Sequence, residues 1–99
     1  MATQSSFKEK TVARVKEPRQ YNVIMWNDDF TTMDFVVAVL VDIFHKDRAS
    51  AEAIMLNVHK VGHAVVGRYP YDLAVTKVSA AIGRARAAGY PFRVTMEED

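Results

Sequence analysis

Apolar positions fall into six runs along the chain, and the polar residues between them read as stops and caps. Tyr21 to Trp26 is apolar and aromatic and is halted by Asn27-Asp28-Asp29. That predicts a strand followed by a turn, because Asn and Asp bond their own backbone in turns. Thr31 or Thr32 is suited to cap the next run, and Asp34 falls in the first turn, where a helix dipole favours an anion. Met33 to Phe44 is therefore read as a helix. Asp47 or Ser50 caps a second helix running to about Val61, with Gly62 just past its end. His63 to Tyr69 reads as a second strand. Pro70 opens a third helix, Tyr71 to Ala88, which carries Ala74, Val78, Ala81, Ala85 and Ala88 at helical spacing. Gly89 ends it and Pro91 prevents its return. Phe92 to Glu97 alternates Phe, Val and Met with Arg, Thr and Glu, as a strand with one wet face does.

The order βααβαβ predicts an α+β fold: a two-layer sandwich in which a three-stranded antiparallel sheet packs against three helices. The first helix is apolar on every side from Phe35 to Val41. Full burial of such a helix is hard to arrange in a small two-layer domain, so an exposed apolar face or pocket is expected there. Residues 1–17 hold only Phe7, Val12 and Val15 as sizeable apolar groups. They cannot offset their ordering entropy by burial and are expected to be a disordered tail ahead of a core domain, residues 18–99.

Length and composition narrow the function. Ninety-nine residues, 49% of them hydrophobic and 25% charged, make one domain with a modest core and leave no room for a two-domain enzyme. The absence of Cys excludes disulfide frameworks and Cys-ligated zinc. No apolar run approaches the ~20 residues of a membrane span, and the first residues lack the apolar stretch of a secretory signal. The chain is expected in the cytoplasm. The net charge of +1 conceals an asymmetry: five basic groups face two acidic ones in residues 1–20, against eight and ten in the remainder. The basic excess lies on the expected tail, without interleaved aromatics on a folded face, so no nucleic-acid partner is expected.

Two groups of residues carry candidate chemistry. Asn27-Asp28-Asp29 suits an Asx turn, but its two carboxylates and one amide also suit a cation, either a metal or an ammonium group. The spacing of a calcium loop is absent. Met55, Val58 and His59 stand at i, i+3 and i+4 on one helix face, and Met33 and Val36 share the i, i+3 spacing. Such residues build either plain core or an adaptable apolar pocket, because Met fills irregular space. His45 and His63 read as exposed and give no signal. There is no nucleophile elbow, phosphate loop or zinc motif. No catalysis is expected, and the residues alone leave a metal module using Asp28, Asp29 and His59 as an alternative to an ammonium site.

The string Tyr21-Asn-Val-Ile-Met-Trp-Asn-Asp-Asp-Phe-Thr-Thr-Met-Asp-Phe-Val36 resembles the opening of the ClpS adaptor family. Ala53-Ile-Met-Leu-Asn-Val-His59, the strand from Gly62 to Gly67 and Ala74-Val-Thr-Lys-Val78 are similar as well, so the resemblance covers about residues 18–97. Members of that family are not enzymes. They bind the first residue of substrates that begin with Phe, Tyr, Trp or Leu. They deliver these to the N-terminal domain of the AAA+ unfoldase ClpA, which feeds ClpP, in the bacterial N-end rule (N-degron) pathway.

The resemblance implies that Asn27, Asp28 and His59 bind the substrate α-amino group. It places Met33, Val36, Met55, Val58 and Phe92 in the side-chain pocket, with Thr31 beside it and Asp29 in the same motif. It puts Asp72 and Lys77 on a separate face that docks on the unfoldase, and has the tail enter the unfoldase during delivery. It implies no cofactor, no metal and no nucleic-acid or membrane partner. The chemistry agrees: a protonated amine offers three donors, and an amide oxygen, a carboxylate and a neutral imidazole supply acceptors. Acidification that protonates His59 removes one of them. Three positions depart from the family pattern: Thr32 where Pro is usual, Trp26 where a smaller aliphatic is common, and Phe92 where Leu is common. A ring of Trp26 or Phe92 reaching the pocket would alter the ranking among first residues.

Overall fold

The computed structural model describes residues 18–99, so the expected tail, residues 1–17, lies outside the described residues. Three strands and three helices follow in the order β1 (Gln20–Trp26), α1 (Met33–Asp42), α2 (Arg48–Val61), β2 (His63–Pro70), α3 (Tyr71–Ala88) and β3 (Arg93–Glu98). β1 is central, and β2 and β3 both pair with it antiparallel, giving the sheet order β2-β1-β3. This is the α+β architecture expected from the hydrophobic pattern. Alternation along β1 turns Val23 and Met25 into the core, where both are fully buried.

The helix ends follow their caps. Thr32 Oγ1 accepts from the Phe35 N–H at 3.2 Å and starts α1. Asp47 accepts from the Ser50 N–H at 2.8 Å and starts α2. Gly62 takes the left-handed conformation, φ 103°, that closes α2 and that residues with a side chain rarely adopt. α1 ends at Asp42, two residues short of the expected Phe44. His45 adopts a left-handed φ of 56°, and the Lys46 N–H reaches back to the Leu40 carbonyl at 3.1 Å, turning the chain away.

α3 lays its small-residue face on the sheet. Ala74, Ala81 and Ala85 are buried and Val78 is half-buried, whereas Ala88 at the helix end is exposed. In β2 the register slips opposite Val23/Ile24, so Val66 stands as an extra, buried residue. Gly67 follows it, and a Cβ there would lie 2.6 Å from the Tyr69 hydroxyl, so only glycine lets that ring fold over the strand.

The exposed apolar face or pocket expected at α1 is met by a pocket and not by an open face. Val36, Val37, Val39 and Leu40 are buried, and Phe35, Ala38 and Val41 are half-buried. The helix has only ten residues, and flanking rings cover it. Phe35 packs against Tyr90 and Phe92 with centroids 4.9 and 6.1 Å apart, and Phe44 is buried at its far end. What remains of that face is a shallow cavity of about 370 Å³ bordered by Val37, Ala38 and Val41 between Asp34 and Asp42. Leu40 is wholly buried, so Leu40→Ala is expected to destabilise the domain by about 2–5 kcal/mol through lost burial and a residual cavity. Urea unfolding checks this: the midpoint should fall while the slope is unchanged, and a loss under about 1 kcal/mol would contradict the packing described.

No helix among the described residues is long and apolar enough to cross a membrane.

Candidate functional site

Beyond Trp26 the chain leaves the sheet, and the first bond it makes ties it to a neighbouring element. The Asn27 N–H donates to the Gly62 carbonyl at 2.9 Å. This joins the end of β1 to the turn that closes α2, and so brings Asn27 to the helix end that carries Val58 and His59.

Asp28 then builds the turn. Its Oδ1 accepts from the N–H groups of Phe30 and Thr31 at 2.8 and 2.7 Å, and its Oδ2 accepts from the Thr31 hydroxyl at 2.7 Å. Partial burial pushes the Asp28 carboxyl up, but the bonds from the Thr31 hydroxyl and the two N–H groups outweigh it and hold the group below its ordinary value. Asp28 is therefore ionised at neutral pH. A carboxylate has about four acceptor sites, so three internal bonds leave about one for a ligand. The Asx-turn reading and the cation-binding reading of this motif are thus compatible in one residue.

These elements enclose a cavity of about 380 Å³. One wall is polar: Asn27, Asp28, Asp29, Thr31 and His59. The other is apolar: Met33 and Val36 from the first turns of α1, and Met55 and Val58 from α2. Val36 and Val58 are buried and form its floor; Met33, 44% exposed, stands at its rim. α2 presents its C-terminal, partially negative end and α1 its N-terminal, partially positive end. The two carboxylates on the polar wall decide the sign in favour of a cation. Among the described residues, no three His, Asp or Glu side chains converge as metal ligands do.

The cavity thus gathers all three residues expected at the amine, four of the five expected in the side-chain pocket, and Thr31 expected beside it. Phe92 is the exception. It is buried in the core, its ring edge-on to Phe35, and does not line the cavity. Its position just before β3 turns it inward with Val94 instead. Trp26 stays out of the cavity as well, so neither unusual ring lines it. Two lining residues are not assigned to the site by the sequence: Phe30, and Thr32, which reads there only as a cap and as a departure from the family pattern. Phe30 is 74% exposed, and its signal was available: a large aromatic inside a polar turn cannot reach the core.

The remaining expected pair lies elsewhere. Asp72 is exposed in the first turn of α3. Lys77 is half-buried, its ammonium donating to the Ile43 carbonyl at 2.8 Å and lying 5.8 and 5.4 Å from the ring centroids of Phe44 and Tyr69. It thereby satisfies a carbonyl at the end of α1.

Comparison with known proteins agrees with the resemblance read from the sequence. Residues 16–95 match the family described as ATP-dependent Clp protease adaptor protein ClpS. A ClpS adapter protein of Oleidesulfovibrio alaskensis is 55% identical over 84 residues, covering 85% of this chain and 81% of that protein. One from Syntrophus aciditrophicus is 52% identical over 85 residues, covering 86% and 79%. The structure of Agrobacterium tumefaciens ClpS2 bound to L-phenylalaninamide superposes with a TM-score of 0.81 at 34% identity, covering 84% of this chain and all of that one. This chain belongs to the ClpS family, adaptors of the ATP-dependent Clp protease and not enzymes.

Proposed function

We propose that this protein reads the first residue of its substrates. Asn27, Asp28 and His59 take the free α-amino group, and Met33, Val36, Met55 and Val58 take a bulky apolar side chain of Phe, Tyr, Trp or Leu. The substrate then passes to the N-terminal domain of ClpA, for degradation by ClpP in the cytoplasm. The observation that carries this reading is the meeting, in one cavity of about 380 Å³, of an anionic polar wall with an apolar one. The relative bound to L-phenylalaninamide supports it, since that ligand joins a free amine to a benzyl group.

A free α-amino group has a pKa near ~7.7–8.0 and is largely cationic at neutral pH. Each charge-assisted bond to it contributes roughly 1.5–3 kcal/mol. Burying a Phe or Leu side chain contributes about as much again. An internal peptide bond has one N–H and no charge, and would leave the acceptors of the polar wall unpaired. A Lys or Asp side chain in the apolar half would be desolvated without a partner.

Met33 sets the finer discrimination in this reading, because its side chain at the rim is where the ligand's Cβ enters. A β-branched first residue, equally apolar, meets it sterically. One methyl discriminates by only about 1–3 kcal/mol, so this selectivity is easily relaxed. Wild-type protein should bind Phe- and Leu-initiated peptides and reject Ile- and Val-initiated ones in fluorescence anisotropy. Met33→Ala should admit the latter, and an unchanged Ile affinity in that variant would exclude the role.

Delivery is assigned to the segment outside the described residues and to the face around Asp72. Lys77, whose ammonium is engaged inside the fold, contributes to that face through the shape of the α1–α3 junction. Deleting residues 1–17 should leave peptide affinity unchanged and stop degradation of a Phe-initiated protein by ClpA and ClpP. Retained degradation would remove the segment from the account.

A further inference from the structure

At the open face of the sheet, side chains from all three strands meet around Trp26. Its ring stacks on His63 with centroids 5.1 Å apart and 27° between planes. The Arg93 guanidinium lies 4.6 Å from the ring centroid. Its indole N–H donates to Thr95 Oγ1 at 2.8 Å. His63 is the register partner of Trp26 on β2 and Arg93 its partner on β3, so one side chain ties three strands at the end where the chain leaves for the cavity. None of the four residues lines that cavity.

The tie reaches both halves of the amine wall through the backbone. Asn27 follows Trp26 directly, and its N–H is bonded to the Gly62 carbonyl. Gly62 precedes His63, the residue stacked on Trp26, and its own N–H donates to the Val58 carbonyl at 2.9 Å, next to His59. Asn27 and His59 thus come from different elements joined at one turn, and the His63–Trp26–Arg93 stack braces that turn from the outer face.

We propose that Trp26 is a positioning residue of the amine site: its stack and its bond to Thr95 hold Asn27 at the separation from His59 where both meet one α-amino group. This rests on the reading that Asn27 and His59 take the amine. A strand end held only by ladder bonds frays, and a few tenths of an ångström at Asn27 weakens two acceptors that must converge.

The test uses the full chain with a fluorescent Phe-initiated peptide, in Trp26→Leu, Trp26→Phe and Thr95→Val, each checked for folding by its melting curve. Trp26→Leu should weaken binding by about tenfold, a size usual for coupled neighbours. Trp26→Phe, which keeps the stack, and Thr95→Val, which removes only the indole's acceptor, should each weaken it by less. In an Asn27→Ala background the Trp26→Leu loss should largely vanish, because there is no amide left to position. In a Met55→Ala background it should persist in full. An equal loss in both backgrounds means a general effect of stability and overturns the proposal, as does unchanged affinity in folded Trp26→Leu. Where Trp26→Leu fails to fold, Trp26→Phe and Thr95→Val decide by the same two backgrounds. If the wild type itself does not bind the peptide, the amine reading fails. Hydrogen exchange at the Asn27 amide then decides the brace: faster exchange in Thr95→Val supports it and unchanged exchange overturns it.

Discussion

Asp28→Ala is expected to weaken binding of a Phe-initiated peptide at least about 100-fold, the largest loss from any single change on the polar wall. Two effects combine. The variant loses the ionised acceptor that faces a cationic amine. It also loses the three bonds by which Asp28 holds Phe30 and Thr31, so the wall itself loosens. Asp28→Asn separates them. An amide oxygen still accepts from the two N–H groups, and its nitrogen can donate to the Thr31 hydroxyl, so the turn persists while the charge is lost. Its affinity should fall between wild type and Asp28→Ala. If Asp28→Asn loses as much as Asp28→Ala, charge dominates; if it binds as wild type, the carboxylate acts only on the turn.

The ionisation of Asp28 gives this a pH signature with a definite sign. Its folded-state value is held below the ordinary 3.8. Its contribution to the turn is therefore fully present above that ordinary value and is lost only as the pH falls further, through the lowered one. Across the neutral range the turn should hold, as the backbone shifts of Phe30 and Thr31 in NMR would report. Movement of those shifts between pH 7 and pH 5 would contradict the bonding described.

Much of this site is legible in the sequence because its parts are local. The stop at Asn27-Asp28-Asp29 marks where the sheet ends. The spacing of Met55, Val58 and His59 places three side chains on one helix face, and Gly62 marks where that helix turns back. What is not legible depends on which distant groups meet. α1 looks like a helix with a face to spare, yet Tyr90 and Phe92, more than fifty residues away, close over Phe35. Phe92 reads as a pocket residue by resemblance, but strand alternation into β3 turns it to the core. His63 gives no signal in the sequence and proves to be stacked on Trp26 through strand register. Lys77 reads, by resemblance, as part of a docking face, and its ammonium reaches a carbonyl thirty-four residues earlier in the chain. Each of these differences is long-range, and hydrophobic period alone carries no such information.

The same contrast shows how so small a chain would achieve the selectivity proposed for it. The apolar half of the cavity needs only side chains of about the right size, and two helix faces supply them. The polar half needs acceptors set to the geometry of an ammonium group, and these come from a strand end, a turn and a helix end that are fixed by hydrogen bonds of 2.7–2.9 Å. On the proposed reading, selectivity for a chain terminus over the same residue inside a chain resides in that second half.

N-acetylation of the ligand isolates that half without touching the protein. The acetyl group removes the charge and leaves one N–H where there were three. It also adds a methyl and a carbonyl oxygen that must face the Asp28 carboxylate. Losing even two charge-assisted bonds costs roughly 3–6 kcal/mol, or at least about a hundredfold in affinity. The benzyl side chain is unchanged, so apolar burial is constant between the two ligands. The decisive measurement is fluorescence anisotropy at neutral pH with one Phe-initiated peptide, free and N-acetylated. Saturable binding of the free peptide with none detectable for the acetylated one is the result predicted; equal binding of the two would contradict the assignment of Asn27, Asp28 and His59 to a substrate's α-amino group.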